Sequence, residues 1–490
     1  KGKQVLFLLP EIALTTHIVS RLREFFGDEL GVYHSRFSNN ERVEIWRKVQ
    51  SGAYKLILGA RSAVWLPFSE LDLVIVDEEH DASFKQYEPA PRFQARDSAI
   101  YLAHLHKAKI LLGSATPSLE SAFNASQKKY GYATLKHRFG NVAMPQVTSV
   151  AAQNTQASLS GLLTLSLLDA IQETLSKGRQ IILFQNKRGY APFLICAVCG
   201  HVPHCKNCDV SLTYHKASDK LHCHYCGQKT APIKHCPNCG SPKIIAKSFG
   251  TEKIEEELQR IFPKRRIARM DLDSMRGKNK HQQLIDDFEK GRLDILVGTQ
   301  MVTKGLDFEN VGLVGILSAD SLLSYPDFRV NERAFQLMEQ VSGRAGRVDG
   351  QGQVIIQTYN LKQPVIQWVK DHDIRSFYQS ELEYRKQFGY PPFSKLIKIT
   401  CRHRDKEKTT EAAINLAQEL NKIPNCTVQG PAPALIPRIK SSFLFEIWLK
   451  LPPEASLLSR AKQGIAAAIH TILAQKGFSA LQIIPDVDPT

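Results

Sequence analysis

Short apolar runs separated by stretches with helical spacing fill the first 360 or so residues. Val5–Leu9, Leu56–Leu58, Leu73–Val76 and Ile110–Leu112 form a first series. Gln180–Phe184, Arg266–Met270, Ile295–Val297, Val311–Leu317 and Gln353–Thr358 form a second. Runs this short, apolar without alternation, predict strands buried on both faces, as in a parallel sheet covered by helices. Two such series predict two successive α/β lobes. The boundaries expected are 1–141 for the first lobe and 142–388 for the second, with Pro364–Phe388 as a connecting helical region. The remainder reads strand (Lys395–Cys401), helix (Lys406–Leu420), strand (Cys426–Gln429), strand (Phe443–Leu449), helix (Ala455–Gln475), strand (Leu481–Ile484). That order is a split βαβ arrangement, so 389–490 is expected to be a compact α+β domain.

A domain rarely opens on its buried strand, yet Val5–Leu9 begins four residues from Lys1, so we expect chain to precede it. At 490 residues, about three domains of ~100–200 residues fit the length. Lys and Arg outnumber Asp and Glu by 64 to 48, a net +16, with a pI near 9.3. This excess fits a polyanionic partner such as nucleic acid, or a merely basic surface. No stretch approaches the ~20 apolar residues of a membrane helix, and no signal-peptide pattern opens the chain.

Eight of the ten cysteines lie between Cys196 and Cys239, all as C-x-x-C pairs. Without an export signal this pattern points to metal rather than disulfides. The pairs are Cys196/Cys199, Cys205/Cys208, Cys223/Cys226 and Cys236/Cys239, and two pairs supply the four thiolates of one tetrahedral zinc site. They can combine in three ways. Fourteen residues separate Cys208 from Cys223, close to a zinc-ribbon spacing, whereas five separate Cys199 from Cys205. A nested pairing is therefore expected: Cys196, Cys199, Cys236 and Cys239 around a first zinc, Cys205, Cys208, Cys223 and Cys226 around a second. The module, 194–242, interrupts the second lobe after Gln180–Phe184. It carries five lysines and two aspartates, and eight thiolates outweigh two divalent cations, so its charge gives no attraction to phosphate. Cys401 and Cys426 stand apart and are expected to be core thiols.

Asp77-Glu78-Glu79-His80 follows a buried strand, where doubly wound folds bind ligands. Asp77 can hold Mg²⁺ and Glu78 can orient the water that attacks a γ-phosphate. Gly113-Ser114-Ala115-Thr116-Pro117 follows the next strand, its small hydroxyl residues suited to relaying contacts between nucleotide and partner lobe. In the second lobe come Gly298-Thr299-Gln300-Met301, Lys304-Gly305-Leu306-Asp307-Phe308 and Gln340-Val341-Ser342-Gly343-Arg344-Ala345-Gly346-Arg347. Arg344 and Arg347, three apart, are expected to share a helix face and to stabilise charge on a transferring phosphoryl group. Gly305, Asp307 and Gln340 are the accompanying nucleotide-binding candidates.

These motifs, in order and spacing, resemble those of superfamily-two helicases. Pro10-Glu11-Ile12-Ala13-Leu14-Thr15, Gly59-Ala60-Arg61-Ser62-Ala63, Arg188-Gly189-Tyr190-Ala191-Pro192 and the eight cysteines narrow the likeness. Together they are similar to the PriA family, the primosomal replication-restart DNA helicases of bacteria, over essentially the whole chain. The resemblance implies two RecA-like lobes, the same nested zinc pairing, and ATP with Mg²⁺ as cofactor. It also implies 3′-to-5′ unwinding at stalled forks, contacts with primosome proteins and single-stranded-DNA-binding protein, and a place in the bacterial cytoplasm. One departure matters: no G-x-x-x-x-G-K-[ST] phosphate loop occurs in the 490 residues. We expect it upstream of Lys1, and expect these residues alone to be inactive in ATP hydrolysis. A non-catalytic, zinc-stabilised DNA- and protein-binding scaffold is the alternative.

Candidate nucleic-acid contacts follow the acidic motif: Phe84, Lys85, Tyr87, Arg92 and Phe93, aromatic rings interleaved with cations that can stack bases and hold phosphates. The same residues could instead pin a loop to the lobe. Arg61, in a loop after a strand, and Thr251, at a predicted helix start (Glu252–Phe262), are expected near the DNA backbone. The basic stretch Arg438-Ile439-Lys440 reads either as a DNA contact or as solvated charge.

Overall fold

The structure, a computed structural model, describes residues 2–10, 16–34, 37–135, 138–152, 162–186, 193–199, 201–215, 219–223, 225–247, 251–271, 280–303, 308–347 and 350–489. Its contacts divide the chain into two units, 1–186 with 255–381 and 187–254 with 382–489.

The first unit holds two RecA-like lobes. In the first lobe five parallel strands lie in the order Leu30–Tyr33, Leu56–Gly59, Gln4–Leu8, Leu71–Asp77, Lys109–Gly113. Alternate residues of the central strand feed two cores. Leu6 and Leu8 pack with Ile45 and Val49 of the helix Asn39–Gln50 and with Ala95, Ala99 and Ala103 of Ala95–Leu105. Val5, Phe7 and Leu9 pack with Ile18, Val19 and Leu22 of Thr16–Phe26. Ser38 and Glu41 form a capping box that fixes where Asn39–Gln50 begins. The strand at Ile110–Leu112 differs from expectation: it is the edge of the sheet, and Leu111 is exposed. Leu30–Tyr33, which the apolar pattern does not predict, forms the opposite edge.

The second lobe carries six parallel strands in the order Ile267–Met270, Ile295–Gly298, Gln180–Phe184, Val311–Ile316, Gln353–Thr358, Gln146–Ala151. Gln146–Ala151, the second edge strand, is half-buried, and the apolar pattern does not predict it. Both lobes begin their central strand with a buried glutamine. Gln4 Nε2 donates to the carbonyls of Val49 (2.9 Å) and Tyr54 (3.1 Å), and Gln180 Nε2 to those of Phe288 (2.6 Å) and Leu293 (2.8 Å). Each ties the turn after a helix to the strand it precedes, satisfying groups that burial would otherwise orphan.

In the second unit, the cysteine-rich segment forms an antiparallel pair, Phe193–Cys196 with Ile244–Lys247, and a small three-stranded sheet, Thr213–His215, Lys220–His222 and Lys229–Thr230. The C-terminal part is an antiparallel sheet ordered Thr427–Ile439, Ser442–Leu451, Lys395–His403, Gln482–Val487, with helices Lys406–Leu420 and Ala455–Leu473 packed on it. This is the split βαβ order expected. Cys401 is buried in that core and Cys426 packs against it. Thr427–Ile439 runs ten residues further than expected. Pro431, Pro433 and Pro437 argue against a strand, but this one is an edge, where a missing N–H is tolerated.

Candidate nucleotide, metal and nucleic-acid sites

Asp77 ends its strand beside Gly113 of the next. Burial, reinforced by the charge of Glu78, pushes the Asp77 carboxyl above the ordinary carboxylate range, against the opposing N–H of Glu78 at 3.0 Å. A divalent cation at this carboxylate would relieve that penalty. Glu78 sits in the left-handed region (φ +48), turning the chain sharply so that its side chain stays partly exposed. His80 Nδ1 lies 2.8 Å from Ser114 Oγ and 3.7 Å from Glu78. Ser114 Oγ accepts the N–H of Thr116 at 2.9 Å. The acidic strand end and the Gly113–Pro117 loop are thus one hydrogen-bonded unit.

Its centre is a residue the sequence reading did not assign. Glu79, 1% exposed, accepts from the Ser118 N–H (2.6 Å), Ser118 Oγ (3.1 Å), Ser121 Oγ (2.9 Å) and Arg96 Nη1 (3.0 Å). From Ser118 the network continues into the second lobe. The Leu119 N–H donates to Glu332 Oε1 at 2.8 Å, Gln336 Nε2 to the Thr116 carbonyl at 3.3 Å, and Arg329 pairs with Glu120 at 3.0 Å. Tyr378 Oη also donates to the Pro117 carbonyl. Glu332 and Gln336 lie on the helix Val330–Ser342, which runs on towards the arginines. The available signal was a glutamate and a glutamine four apart within an otherwise apolar stripe, each needing a buried partner.

Arg344 and Arg347 do not share a helix, contrary to expectation. The helix ends at Ser342 with Gly343 as its cap, and both arginines lie in the turn beyond it. Gly346 (φ +63) reverses the chain there, and a Cβ on it would meet the Gly352 nitrogen at 2.3 Å. Arg344 is buried. Arg347 Nε donates to the Gly343 carbonyl at 3.3 Å, which also accepts from Arg138 Nη2 at 2.7 Å. Gln340 Nε2 is buried with no hydrogen-bond partner among the described residues. Gly305 and Asp307 lie outside the described residues, as do Arg188-Gly189-Tyr190-Ala191-Pro192 and Glu11–Thr15.

The cysteines group as the nested pairing anticipated: Cys196, Cys199, Cys236 and Cys239 in one cluster, Cys205, Cys208, Cys223 and Cys226 in the other, sulfurs within 4.8 Å of one another. Cys196 and Cys239 are 3.6 Å apart, Cys199 and Cys236 3.5 Å, and Cys205 and Cys226 3.5 Å. A tetrahedron with bonds of ~2.3 Å has corners ~3.8 Å apart, so each cluster fits Zn²⁺. Without a cation the thiols cannot ionise together. Local N–H donors, chiefly that of His201, draw Cys199 down to about 6, while burial drives Cys205 up to about 12.

Of the nucleic-acid candidates, Phe84 and Lys85 are corrected. Both are fully buried: Phe84 is core, and Lys85 Nζ donates to the Arg92 carbonyl at 3.1 Å. The loop's chain reversal puts these side chains inward, where no base can stack. Phe93 packs edge-on against Trp65, centroids 5.0 Å apart. Arg61 Nη1 holds the carbonyls of Ser83 and Lys85 at 3.3 Å each, bracing the loop. Thr251, first residue of the helix Thr251–Ile261, is buried, which takes its hydroxyl away from any strand crossing the surface. Tyr87 is exposed and Arg92 half-exposed.

Family models match successive parts of the chain: "DEAD/DEAH box helicase" over 1–124, "PriA DNA helicase Cys-rich region (CRR) domain" over 205–230, "Helicase conserved C-terminal domain" over 239–349 and "Primosomal protein N C-terminal domain" over 386–490. Replication restart protein PriA of Bacillus subtilis is 42% identical over 94% of this chain and 58% of its own length. That of Synechocystis is 41% identical over 96% of the chain and 58% of its own length. That of Rickettsia felis is 39% identical over 91% of the chain and 69% of its own length. The chain spans about three fifths of the length of the first two relatives.

Proposed function

Since the chain belongs to the PriA family of replication restart proteins, we propose that it supplies the two motor lobes of an ATP-dependent, 3′-to-5′ DNA helicase acting at stalled replication forks. The observation that carries this reading is the continuous polar path from Asp77 and Glu78, through Glu79, Ser118 and Leu119, to Glu332 on the helix that leads to Arg344 and Arg347. It ties the acidic end of one lobe to the arginine turn of the other. In this reading Asp77 holds Mg²⁺ and Glu78 orients and deprotonates the attacking water. Arg344 and Arg347 stabilise charge on the transferred phosphoryl group, with Gln340, Gly305 and Asp307 around the nucleotide. Supplied with ATP, the site converts phosphoryl transfer into a change in the lobe contact at Thr116–Glu120.

DNA passes over the face presenting Tyr87 and Arg92, while Arg61, Phe84, Lys85 and Phe93 shape that loop from within. Two Zn²⁺ ions, one per cluster, hold the cysteine-rich module. Primosome proteins and single-stranded-DNA-binding protein are its partners in the bacterial cytoplasm.

The test is DNA-stimulated phosphate release by the complete protein. Glu78→Gln is expected to lower kcat by roughly 10²–10⁴-fold with ATP binding retained. Unchanged turnover overturns the assignment of Glu78. DNA binding without any turnover in the unaltered complete protein favours the zinc-stabilised scaffold instead.

A further inference from the structure

The four C-x-x-C pairs are not equivalent. Three are followed by glycine: Cys199-Gly200-His201, Cys226-Gly227-Gln228 and Cys239-Gly240-Ser241. In each, the N–H two residues beyond the second cysteine favours that cysteine's thiolate. Gly227 (φ +77) and Gly240 (φ +72) adopt the left-handed conformation that brings the N–H round. The fourth pair reads Cys208-Asp209-Val210. Asp209 is not among the positive-φ residues, and the N–H to Cys208 Sγ comes instead from Lys440, at 3.2 Å.

Lys440 lies 232 positions away, at the tip of the hairpin joining Thr427–Ile439 to Ser442–Leu451. Both tip residues, Lys440 (φ +51) and Ser441 (φ +58), are left-handed although neither is glycine. Two-residue hairpin turns of this kind ordinarily use Asn-Gly or Asp-Gly, so this tip needs outside support. The cysteine module gives it. The Asp209 N–H donates to the Arg438 carbonyl (3.0 Å) and the Ser441 N–H to the Asn207 carbonyl (2.7 Å). Arg438 pairs with the Asp209 carboxylate at 2.9 Å, and Ile439 packs on the cluster of Leu194, Cys205, Cys208, Leu212, Leu221 and Cys223. Of Arg438-Ile439-Lys440, the Arg438 side chain and the Lys440 backbone N–H are thus engaged by the cysteine module and Ile439 is partly buried, while Lys440 is exposed.

We propose that the inner metal site, Cys205, Cys208, Cys223 and Cys226, is built from two parts of the chain, with the C-terminal hairpin 438–442 completing the outer shell of Cys208. The outer site closes on itself. A backbone N–H stabilises a thiolate, so the hairpin strengthens metal binding at the inner site, and the bound metal holds the hairpin in its strained turn. The residue after each second cysteine is the marker: glycine makes a self-sufficient knuckle, and Asp209 makes one that depends on its partner element.

The experiment measures zinc release from the full chain into excess chelator, with Cys236→Ser, which spoils the outer site, used to assign the two kinetic phases. Arg438→Ala, which removes the pair with Asp209, is expected to speed release from the inner site by about 10-fold or more, the outer phase staying unchanged. Adding Asp209→Gly, which creates a fourth C-G knuckle, is expected to slow it again. Unchanged inner release, or equal acceleration of both phases, overturns the proposal. The reverse coupling is read in the unaltered protein by hydrogen exchange. Stripping zinc should deprotect the Lys440 and Ser441 amides, and retained protection there also overturns it.

Discussion

Glu79→Ala tests whether the acidic strand end is held by a buried charged hub. The substitution removes an acceptor used by the Ser118 N–H, two serine hydroxyls and Arg96. Glu79 and Arg96 side chains are 1% and 12% exposed, so solvent does little to replace the lost partner. Breaking a buried ion pair from one side costs about 3–5 kcal/mol. Asp97, 2.7 Å from Arg96 Nε, keeps part of the guanidinium compensated and lowers the figure. The orphaned Ser118 N–H adds about 1–3 kcal/mol. A net loss of about 3–5 kcal/mol is expected for the first lobe. Urea titration followed by hydrogen exchange over residues 71–126 reads it as the opening free energy of that segment. In a double-mutant cycle with Arg96→Met, the pair should lose clearly less than the sum of the singles. A loss under about 1 kcal/mol, or an additive cycle, refutes the hub.

In the complete protein, Arg344→Ala or Arg347→Ala should lower kcat by roughly 10³–10⁵-fold with a much smaller change in nucleotide affinity, as for an arginine finger; a variant with normal kcat removes that residue from the role. Elemental analysis of protein purified without added metal should find two zinc ions per chain, and one ion, or iron, would contradict the two clusters. The side-chain bond to Glu339 raises the pKa of His372 above its usual value. Its contribution to stability is therefore complete below about 6.5 and is lost as pH rises through the elevated value. Glu339→Gln should flatten the melting temperature between pH 6 and 8, and an unchanged slope would exclude the pair. Phe84→Ala should destabilise the lobe by about 3–5 kcal/mol as a core truncation, whereas Tyr87→Ala should leave the melting point unmoved and weaken single-strand binding.

Local pattern and spacing determined much of this protein. Uninterrupted apolar runs set the parallel strands, because a strand covered on both faces has no polar side to show, and the lengths between the C-x-x-C pairs favoured the nested pairing, because five residues between Cys199 and Cys205 leave little room for both pairs to grip one ion. The edges escaped. Leu30–Tyr33, Gln146–Ala151 and the proline-bearing 430–439 are strands only because a neighbour pairs with them on one side, and nothing local marks that. Tertiary structure alone decided which polar residues are spent on the protein itself. Phe84 and Lys85 look like nucleic-acid contacts until the loop turns them into the core. Glu79 looks like a third surface acid until Arg96 and Ser118 close over it. Arg344 and Arg347 have helical spacing, but Gly346 needs a left-handed turn to clear Gly352. The same holds for Asp209, whose substitution for a knuckle glycine is visible in the sequence. The N–H that replaces the missing one comes from Lys440, and only the folded chain brings two segments more than two hundred residues apart within hydrogen-bond distance.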